Sequence, residues 1–361
     1  MRDLIVVGGG PAGLAAAAEA ARRGLDALVL ERRTLPADKA CGEGILPGGV
    51  RALEALGARP LLDPGGVSPL RCLRWVQEDG SRAEARLPPP GGLGVRRLAL
   101  SAALRDLARG RGAEVRDGVA VEGHRRDAGG VVVRLAGGVE VEGRLLVAAD
   151  GLASPVRERE GLGRPAPGAR RFGLRCHLAV AAPGDAVEVH FTRGVEAYLT
   201  PVGPGRVGLA FLFEAGVAPD FGALLARFPA LEARLGAAPA DSPVAGAGPL
   251  GRRSSSRVED RLVLAGDAAG YVDAITGEGV SLALEEALLL GAALPGVLAA
   301  GATRASLLDW ERAVRARRRR HAAVTRLVLS MARRPGLRRL AVAGLGRAPA
   351  LFEALVARAV G

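Results

Sequence analysis

The sequence predicts an α/β fold with an additional antiparallel sheet and a helical C-terminal cap, and three observations support this prediction. An apolar stretch at 4–7 leads through a glycine-rich loop into an alanine-rich helix, as in a parallel α/β unit. Residues 170–213 alternate between apolar and polar side chains over short stretches, which is typical of antiparallel strands. After Ser306 the pattern is helical, with interruptions expected at 335–336 and 344–349.

The remaining elements follow from the same periodicities. A second buried strand at 27–30 completes a strand, helix and strand unit whose helix covers 14–23. Further predicted elements are a helix over 50–56, a hairpin between 70 and 86 that turns at Asp79-Gly80, a helix over 98–109, a hairpin with strands at 131–135 and 139–141, buried strands at 145–149 and 261–265, and a helix over 279–294.

These elements predict two domains, each assembled from separate stretches of the chain. The buried strands belong to a Rossmann-type nucleotide-binding domain, and the alternating strands belong to an antiparallel-sheet domain that is expected to bind the substrate. The segments in chain order are 1–69 (nucleotide), 70–95 (substrate), 96–168 (nucleotide), 169–250 (substrate), 251–300 (nucleotide) and 301–361 (C-terminal helical region).

Composition excludes some classes of function. The net charge is +12, but aromatic residues make up only 3% and no basic stripe carries interleaved aromatic side chains, so nucleic-acid binding is not expected. Three widely spaced cysteines fit neither a disulfide framework nor a zinc site, and four scattered histidines lack metal-ligand spacing, so no metal is expected. Such cysteines favour a reducing cytoplasm.

Two features bear on localisation. The N-terminal apolar stretch runs directly into glycines, so no signal peptide is expected, and no apolar run reaches the ~18 residues that a membrane span needs. The arginines from Arg315 to Arg320, with others downstream, form a solvated face by default; a peripheral membrane contact through the C-terminal helices is the alternative. The sequence therefore predicts a cytoplasmic protein that is soluble or at most peripheral to the membrane.

The glycine-rich loop has the spacing of a dinucleotide-binding turn. Gly8 permits a tight turn, Gly10 lets the backbone approach a pyrophosphate, and Gly13 allows close packing of the helix on the strand. Pro11 and Ala12 open the helix, whose N-terminal N–H groups attract phosphate. Taken alone, the loop predicts either NAD or FAD.

An acidic residue stands at the end of the second strand. Glu31 follows Gly13 by 18 residues, where it can accept hydrogen bonds from the adenosine ribose. Arg32, its neighbour, is expected in the same site. A solvated carboxylate at a strand end is the alternative interpretation of Glu31.

Two further motifs each follow a buried strand. They read Asp150-Gly151-Leu152-Ala153-Ser154-Pro155-Val156-Arg157 and Gly266-Asp267-Ala268-Ala269-Gly270. In this order behind the N-terminal loop, they resemble the motifs of flavoproteins with the para-hydroxybenzoate hydroxylase fold. The resemblance implies FAD as the cofactor.

The resemblance also implies roles for individual residues. Asp267 binds a ribityl hydroxyl of FAD, and backbone N–H groups at 277–280 face the flavin C2 carbonyl, where they stabilise negative charge on the reduced ring. A plain loop and helix start is the alternative for 277–280. The implied cofactor residues in these motifs are Asp150, Gly266, Asp267, Gly277, Gly279 and Val280.

The segment 38–44 reads Asp-Lys-Ala-Cys-Gly-Glu-Gly and, with the stretch 270–279, is similar to the geranylgeranyl reductase branch of this fold. Members of that branch reduce carbon–carbon double bonds of isoprenoid or other lipophilic substrates by hydride transfer from flavin N5. The residues that this similarity implies are Lys39, Cys41, Gly42 and Arg97 at the cofactor, and Cys41, Glu43 and Tyr198 in catalysis.

Alternatives stay open for some of these residues. Cys41 acts as a proton donor or shapes the pocket, and a buried inert cysteine is the other interpretation. Arg97 is either a cofactor contact or a solvated surface residue. Tyr198 begins the segment Tyr-Leu-Thr-Pro, which contains fewer aromatic residues than the substrate motif of the branch. The resemblance therefore does not imply isoprenoid specificity.

Three functions remain open at this point. The first is reduction of a lipophilic, isoprenoid or polyketide-like substrate, and the second is FAD-dependent monooxygenation of an aromatic or polyketide substrate. The third, a flavin-bearing electron carrier or binding protein, is disfavoured by the large domain between the second and third motifs. No second dinucleotide unit is present in the sequence, so NAD(P)H binds transiently or a separate reductase delivers the electrons.

Overall fold

The computed structural model describes residues 1–168, 170–217 and 219–360; the predicted boundary residue 169 and the final residue 361 lie outside the described residues. The strands in these ranges are β1 (Arg2–Val7), β2 (Ala27–Glu31), β3 (Gly44–Ile45), β4 (Val67–Leu70), β5 (Cys72–Val76), β6 (Arg82–Arg86), β7 (Gly92–Val95), β8 (Glu114–Asp117), β9 (Val121–Arg126), β10 (Val131–Leu135), β11 (Glu140–Ala148), β12 (Gly163–Arg164), β13 (Arg171–Leu178), β14 (Ala186–Thr192), β15 (Val195–Pro201), β16 (Val207–Glu214), β17 (Ala245–Ala247), β18 (Arg252–Ser254), β19 (Val258–Glu259), β20 (Leu262–Leu264) and β21 (Gly270–Tyr271).

The helices complete the inventory of the described residues. They are α1 (Pro11–Ala21), α2 (Pro47–Leu56), α3 (Arg97–Gly110), α4 (Pro155–Arg159), α5 (Phe221–Leu225), α6 (Pro229–Leu235), α7 (Gly279–Ala299), α8 (Arg304–Ala332), α9 (Pro335–Arg347) and α10 (Pro349–Val360), with short 3-10 turns at Arg59–Leu61, Pro64–Gly66 and Gly266–Ala269.

The first sheet is built from buried apolar strands. β19, β20, β11, β1, β2 and β8 lie side by side in this order, and the pairs from β20 to β8 are parallel. Leu4 and Val6 belong to a core shared with α1, α3 and α7, whereas Ile5 and Leu146 belong to a core on the opposite face. Burial on both faces explains why these strands are continuous apolar runs in the sequence.

β11 is one continuous strand, so the prediction of separate strands at 139–141 and 145–149 was wrong. Gly143, at its centre, interrupts the apolar pattern but does not interrupt the strand. A Cβ atom at Gly143 would lie 2.8 Å from Cγ1 of Ile5, so the glycine allows β11 to pair closely with β1. The first half of the same strand pairs with β10.

The second sheet has the order β17, β13, β16, β15, β14, β5, β6. Its pairs are antiparallel except that between β5 and β14, which is parallel. α5 and α6 cover one face, where Phe211 and Phe228 are buried. The opposite face carries Trp75 and Val189 and packs toward the C-terminal helices. Because β5 and β6 precede the other strands by about a hundred residues of chain, this sheet closes only when both stretches meet.

The C-terminal helices connect the two sheets. α8 starts beside α7, where Leu307 and Trp310 are buried, and ends beside the second sheet, where Ala332 is buried. α9 and α10 then pack against β6. α9 ends at Arg347 and α10 begins at Pro349, which confirms the interruption predicted within 344–349. Gly346, in the last turn of α9, serves close packing, since a Cβ atom there would lie 2.5 Å from the carbonyl oxygen of Arg82.

Two other helices are longer than the sequence predicted. α2 begins at Pro47 rather than at residue 50, because proline at the first helical position needs no N–H partner. α7 runs to Ala299 rather than to residue 294 despite Pro295, and Val297 and Leu298 are buried in its additional turn.

Some helices of the described residues meet the length and apolarity of a membrane span. Gly279–Ala299 does so alone, and Pro335–Arg347 with Pro349–Val360 does so as a pair bent by 109°. Half of the apolar window in Gly279–Ala299 is buried inside the protein. That helix packs against α1, α2 and α8, which is the environment of a core helix.

Candidate active site

A cavity of about 1260 Å³ lies between the first sheet, the second sheet and the C-terminal helices. One end is formed by the loops after β1, β11 and β20, where parallel α/β sheets commonly bind ligands. Gly13 packs beneath the first of these loops and is absent from the wall. The predicted residues that do line the cavity are Gly8, Gly10, Pro11, Ala12, Glu31, Arg32, Lys39, Cys41, Gly42, Glu43, Arg97, Asp150, Tyr198, Gly266, Asp267, Gly277, Gly279 and Val280.

The N-terminal glycine loop is shaped by close backbone contacts. Gly8 has φ +110°, and a Cβ atom on Gly13 would lie 1.9 Å from the carbonyl oxygen of Gly8. A Cβ atom on Gly10 would meet nothing within 4 Å, so this residue leaves open space in front of α1. Among the described residues no side chain caps the N-terminus of α1, and its N–H groups remain available to an anion.

Glu31 ties this loop to the end of β2. Its Oε2 accepts a hydrogen bond from the backbone N–H of Gly9 at 2.6 Å, and its Oε1 accepts one from the N–H of Arg33 at 2.9 Å. Each carboxylate oxygen can accept a second hydrogen bond. The carboxylate is therefore fixed at the cavity wall with capacity left for a ribose hydroxyl, and that role stays a prediction.

Asp150 presents an unpaired buried oxygen at the second loop. Oδ2 accepts a hydrogen bond from the N–H of Val156 at 3.1 Å, while Oδ1 is buried and has no partner within the described ranges. Burial raises the pKa of the Asp150 carboxyl above its ordinary value. An orphaned buried acceptor is costly unless a ligand donor reaches it.

Arg157, for which no role was predicted, joins the second loop to the third. Its side chain is fully buried and donates to the carbonyl oxygen of Leu152 at 2.9 Å and to that of Ala268 at 3.0 Å. The two motifs therefore hold each other in place. The signal was present in the sequence, since Arg157 ends the motif that begins at Asp150.

Asp267 lies on the 3-10 turn after β20 and projects to the cavity. Its Oδ2 is 3.6 Å from Nζ of Lys39, which comes from the loop that carries Cys41. Gly266, with φ +59°, precedes it, and a Cβ atom at Gly266 would lie 2.9 Å from Cβ of Ala12. The turn thus brings the third loop against the start of α1.

Arg318 fixes the same turn from α8. Its guanidinium donates to the carbonyl oxygens of Gly266, at 3.1 Å, and Gly270, at 2.7 Å, and pairs with Glu286. Arg318 is thus an exception to the solvated arginine face predicted at 315–320, because it points into the protein while the other arginines of the run are exposed. Sequence offered no sign of which arginine of the run would be buried.

A second uncapped helix N-terminus reaches the cavity at α7. Gly277 has φ +69°, and the helix begins at Gly279 with no side-chain cap among the described residues. A Cβ atom at Gly279 would lie 3.1 Å from the ring of Tyr271. Free N–H groups at this point can stabilise negative charge on a ligand.

Arg97 is a buried cation at the cavity wall. Only 8% of it is exposed, and within the described residues its guanidinium has no hydrogen-bond or ion-pair partner. Arg97 lies in the cavity wall, so an anionic group of a ligand in the cavity could pair with its guanidinium. Its contact with the cofactor stays a prediction.

Glu43 is a buried carboxylate with two partners. Its Oε1 accepts the backbone N–H of Arg97 at 2.7 Å, and its Oε2 lies 2.6 Å from Nε2 of His177. The N–H of Glu43 donates to Sγ of Cys41 at 3.4 Å, and Cys41 itself is half-buried. Glu43 thus positions the loop, and its catalytic assignment stays a prediction, as does that of Cys41.

Arg175 anchors the same loop from the second sheet. Its guanidinium donates to Oδ1 of Asp38 at 2.5 Å and to the carbonyl oxygen of Lys39 at 3.1 Å. It also lies 3.2 Å from Nδ1 of His177. Neither Arg175 nor His177 was a predicted site residue, because their partners lie more than 130 positions away in the chain.

Tyr198 contacts the third loop from β15. Its hydroxyl donates to the carbonyl oxygen of Ile275 at 3.1 Å, and burial raises the pKa of the phenol well above its ordinary value. Two residues earlier on the same face, Glu196 pairs with Arg171. Burial and the nearby Asp273 raise the pKa of Glu196 to about 7, although Arg171 opposes the rise.

The donors at the cavity suit FAD. Two uncapped helix N-termini and the unpaired Arg97 supply positive charge, while Asp150 and Asp267 supply acceptors for hydroxyl groups. FAD has both partners that these groups need: its pyrophosphate is negatively charged, and its ribose and ribityl chains carry hydroxyl groups. Within the described ranges, no group of three or more His, Cys, Asp or Glu side chains is arranged to hold a metal ion.

Comparison with known proteins agrees with this site. The family model described as FAD binding domain matches residues 1–196. A menaquinone reductase of Mycobacterium tuberculosis is 32% identical, covering 78% of this chain and 74% of the relative. A digeranylgeranylglycerophospholipid reductase of Methanothermobacter thermautotrophicus is 28% identical, covering 87% and 82%. The solved structure of halogenase PltM with phloroglucinol and FAD has a TM-score of 0.76 at 20% identity, over 86% and 73% of the chains, and shows the fold alone.

Fold and site together define an FAD-dependent oxidoreductase with the para-hydroxybenzoate hydroxylase-like fold. The chain belongs to the FAD-binding domain family. The predicted fold class and the predicted FAD cofactor are thereby confirmed. The domain division and the roles of individual site residues stay predictions.

Proposed function

We propose that this protein reduces a carbon–carbon double bond in a long apolar substrate of the isoprenoid or polyketide-like class. The observation that supports the proposal is the apolar continuation of the cavity beyond the cofactor loops. The side chains that define this chamber are apolar, and most of them belong to one hydrophobic cluster, so the chamber favours a hydrocarbon over an ionic substrate. The chamber is lined by Leu73, Trp75, Leu87, Val187, Val189, Leu345, Phe352 and Val356.

The relatives support the same reaction class. The names of the two that are described above state a reductase of menaquinone and a reductase of digeranylgeranylglycerophospholipid. A rifampicin monooxygenase of Streptomyces venezuelae is also similar, at 31% identity over 81% of this chain and 63% of the relative, so monooxygenation is the second candidate and is tested beside reduction. We place reduction first because the two reductases match over a larger share of their own length, 74% and 82%.

The residues of the chain bind the cofactor, exclude water and supply a proton. When bound, FAD supplies a hydride from N5. Arg97, Asp150 and Asp267 hold it, and the C-terminal helices close the chamber over the apolar substrate. We assign the proton that must follow the hydride to Tyr198, whose side chain lines the cavity. Cys41, in the same wall, is the alternative donor.

An anaerobic single turnover tests the reaction. The reduced holoenzyme is mixed with a polyisoprenoid alcohol without oxygen, and the product is analysed by mass spectrometry. We expect flavin oxidation in step with saturation of a double bond. A product that forms only with oxygen and carries an added oxygen atom would replace reduction by monooxygenation. Flavin that exchanges electrons with other proteins but yields neither product would indicate an electron carrier.

A pair of variants tests the chamber. Leu345→Trp fills part of it and is expected to slow flavin oxidation by the alkene about tenfold or more, because the substrate is displaced from the cofactor. Leu61→Trp is the matched control, since Leu61 is exposed and lies outside the cavity wall. Equal rates in the two variants would contradict the assignment of this chamber to the substrate.

The electron donor and the compartment are also proposals. We infer that NAD(P)H binds transiently or that a separate reductase delivers the electrons, since within the described residues the dinucleotide unit occurs only at β1 and α1. Anaerobic mixing with NADH, NADPH and a reduced ferredoxin distinguishes these donors by the rate of flavin bleaching. The three free cysteines, Cys41, Cys72 and Cys176, support a cytoplasmic location.

A further inference from the structure

Five leucines of α8, α9 and α10 surround the mouth of the cavity. Each of them lines the cavity and is also exposed to solvent, with exposed fractions between 46% and 75%. Nine large apolar side chains are exposed by 45% or more in the described residues, so more than half of them lie at this one opening. We call these five residues the leucine rim: Leu327, Leu337, Leu340, Leu351 and Leu355.

Helical periodicity places the rim leucines of α9 and α10 on one outward stripe of each of these two helices. On α9, Leu337 and Leu340 are three residues apart, and on α10, Leu351 and Leu355 are four apart, so each pair shares a face. The inward faces are already filled by other residues, including the buried Phe352. The rim leucines are therefore surplus to the core.

Positive charge is concentrated in the same helices. From Arg304 to the end, the chain contains fourteen arginines and three acidic residues, so this segment carries +11 of the total net charge of +12. Arg338 is buried and Arg318 is largely buried, and each is paired with a glutamate of the protein. Arg320 and Arg358 are exposed, line the same opening as the rim, and have no ion-pair or hydrogen-bond partner in the described part of the chain.

The lengths of these helices decide how they can meet a bilayer. α9 has 13 residues and α10 has 12, and the two are bent by 109° relative to each other. A spanning helix needs about 20 apolar residues. Short basic helices with an outward leucine stripe instead lie in the interface, with the leucines among the upper acyl carbons and the arginines among the headgroups.

We propose that the leucine rim, with Arg320 and Arg358 beside it, docks this protein on the surface of an anionic phospholipid bilayer. In that orientation the cavity opens directly into the acyl-chain region. This proposal rests on the proposed function in one respect, which is that the substrate is apolar. An apolar substrate would then pass from the lipid into the chamber without crossing water. The negative charge of the cytoplasmic leaflet is complementary to the positive charge of these helices.

Co-sedimentation of the full-length holoenzyme with vesicles tests the docking surface. One set of vesicles contains phosphatidylcholine only, and the other also contains phosphatidylglycerol. We expect binding to the anionic vesicles that weakens with added salt. The double variant Leu340→Asp/Leu355→Asp should lose at least about tenfold in partition coefficient, since charged side chains replace the inserted leucines. Arg320→Glu/Arg358→Glu should lower the partition coefficient on anionic vesicles about as much, and it should leave binding to phosphatidylcholine vesicles unchanged.

Leu61→Asp is the matched control, because it places the same charge at an exposed leucine outside the rim. Its vesicle binding should equal that of the unchanged protein. Flavin absorbance in each variant reports whether the protein is still folded around its cofactor.

Three results would overturn the docking proposal. They are no sedimentation of the unchanged protein with anionic vesicles, equal binding by the rim variant, or a lipid-free dimer that the rim variant converts to monomers, which would assign the rim to a second copy. Turnover of a detergent-solubilised alkene is measured in parallel. If turnover persists without vesicle binding, only the docking surface fails; if binding persists without turnover, only the proposed reaction fails.

Discussion

Oε2 of Glu43 lies 2.6 Å from Nε2 of His177, and this contact joins the loop that carries Cys41 to the second sheet. Both side chains are about 1% exposed, so water cannot replace either partner. The other oxygen of Glu43 accepts the backbone N–H of Arg97. One buried carboxylate therefore positions both the cysteine loop and the start of α3, where Arg97 lines the cavity.

We predict that His177→Phe lowers the free energy of unfolding by about 3–5 kcal/mol, because it leaves the Glu43 carboxylate buried without a partner on that side. Urea unfolding at neutral pH measures the loss. His177→Gln keeps a donor for Glu43 and should lose less. Equal losses in the two variants would show that packing of the ring, and not the contact with Glu43, matters at this position.

Two glycines of the first loop should respond differently to alanine. Gly13→Ala places a Cβ atom 1.9 Å from the carbonyl oxygen of Gly8, so we expect the protein without FAD to lose about 3 kcal/mol or more of stability. Gly10→Ala meets no protein atom within 4 Å, so stability without FAD should be nearly unchanged while flavin retention falls. Thermal unfolding and the flavin-to-protein absorbance ratio measure the two effects. Full flavin retention in Gly10→Ala would place the pyrophosphate elsewhere.

Arg97 should contribute to FAD affinity through its charge. We predict that Arg97→Ala raises the dissociation constant for FAD about tenfold to a hundredfold, because a charge-assisted contact with the cofactor is lost. Arg97→Lys should recover part of the affinity. Arg96→Ala is the control, since Arg96 adjoins Arg97 but lies outside the cavity wall. Titration of the apoprotein with FAD, followed by flavin fluorescence, measures the constants; equal effects at both positions would argue against a direct contact.

The cofactor loops could be predicted from the sequence because their chemistry is local. Gly8, Gly10 and Gly13 act within one turn, and the motifs that begin at Asp150 and Gly266 each follow an apolar strand whose end fixes their position. Strand ends of a parallel sheet meet at one edge, so order along the chain was sufficient to bring the three loops together.

The buried ion pairs could not be predicted in the same way. Glu43 and His177 are 134 positions apart, and Arg318 is one of six residues in a basic run with no local mark of its own. Which arginine of that run points inward depends on how α8 is rotated against α7 and Glu286, and that rotation is set by packing along the whole helix. Likewise, only the closed second sheet brings Arg175 to Asp38.

Glu196 should make stability depend on pH between about 4.5 and 7. Its pKa is raised from an ordinary 4.5 to about 7 in the folded protein. As the pH rises through this window, the unfolded chain releases the proton first, so the folded state binds more protons and stability falls with increasing pH. A pKa shift of this size corresponds to a total decrease of about 3 kcal/mol in the free energy of unfolding, and the decrease is complete above pH 7.

Glu196→Gln removes this titration while keeping the shape of the side chain, so the variant should match the unchanged protein near pH 4.5 and exceed its stability above pH 7. The quantity to measure is the difference between the two proteins in free energy of unfolding, because the titration of other groups is common to both and cancels. Glu122→Gln, at an exposed position on β9, is the control and should give a constant difference. A constant difference in Glu196→Gln as well would mean that Arg171 keeps the Glu196 carboxylate ionised throughout, and that this cluster stores no proton near Tyr198 at neutral pH.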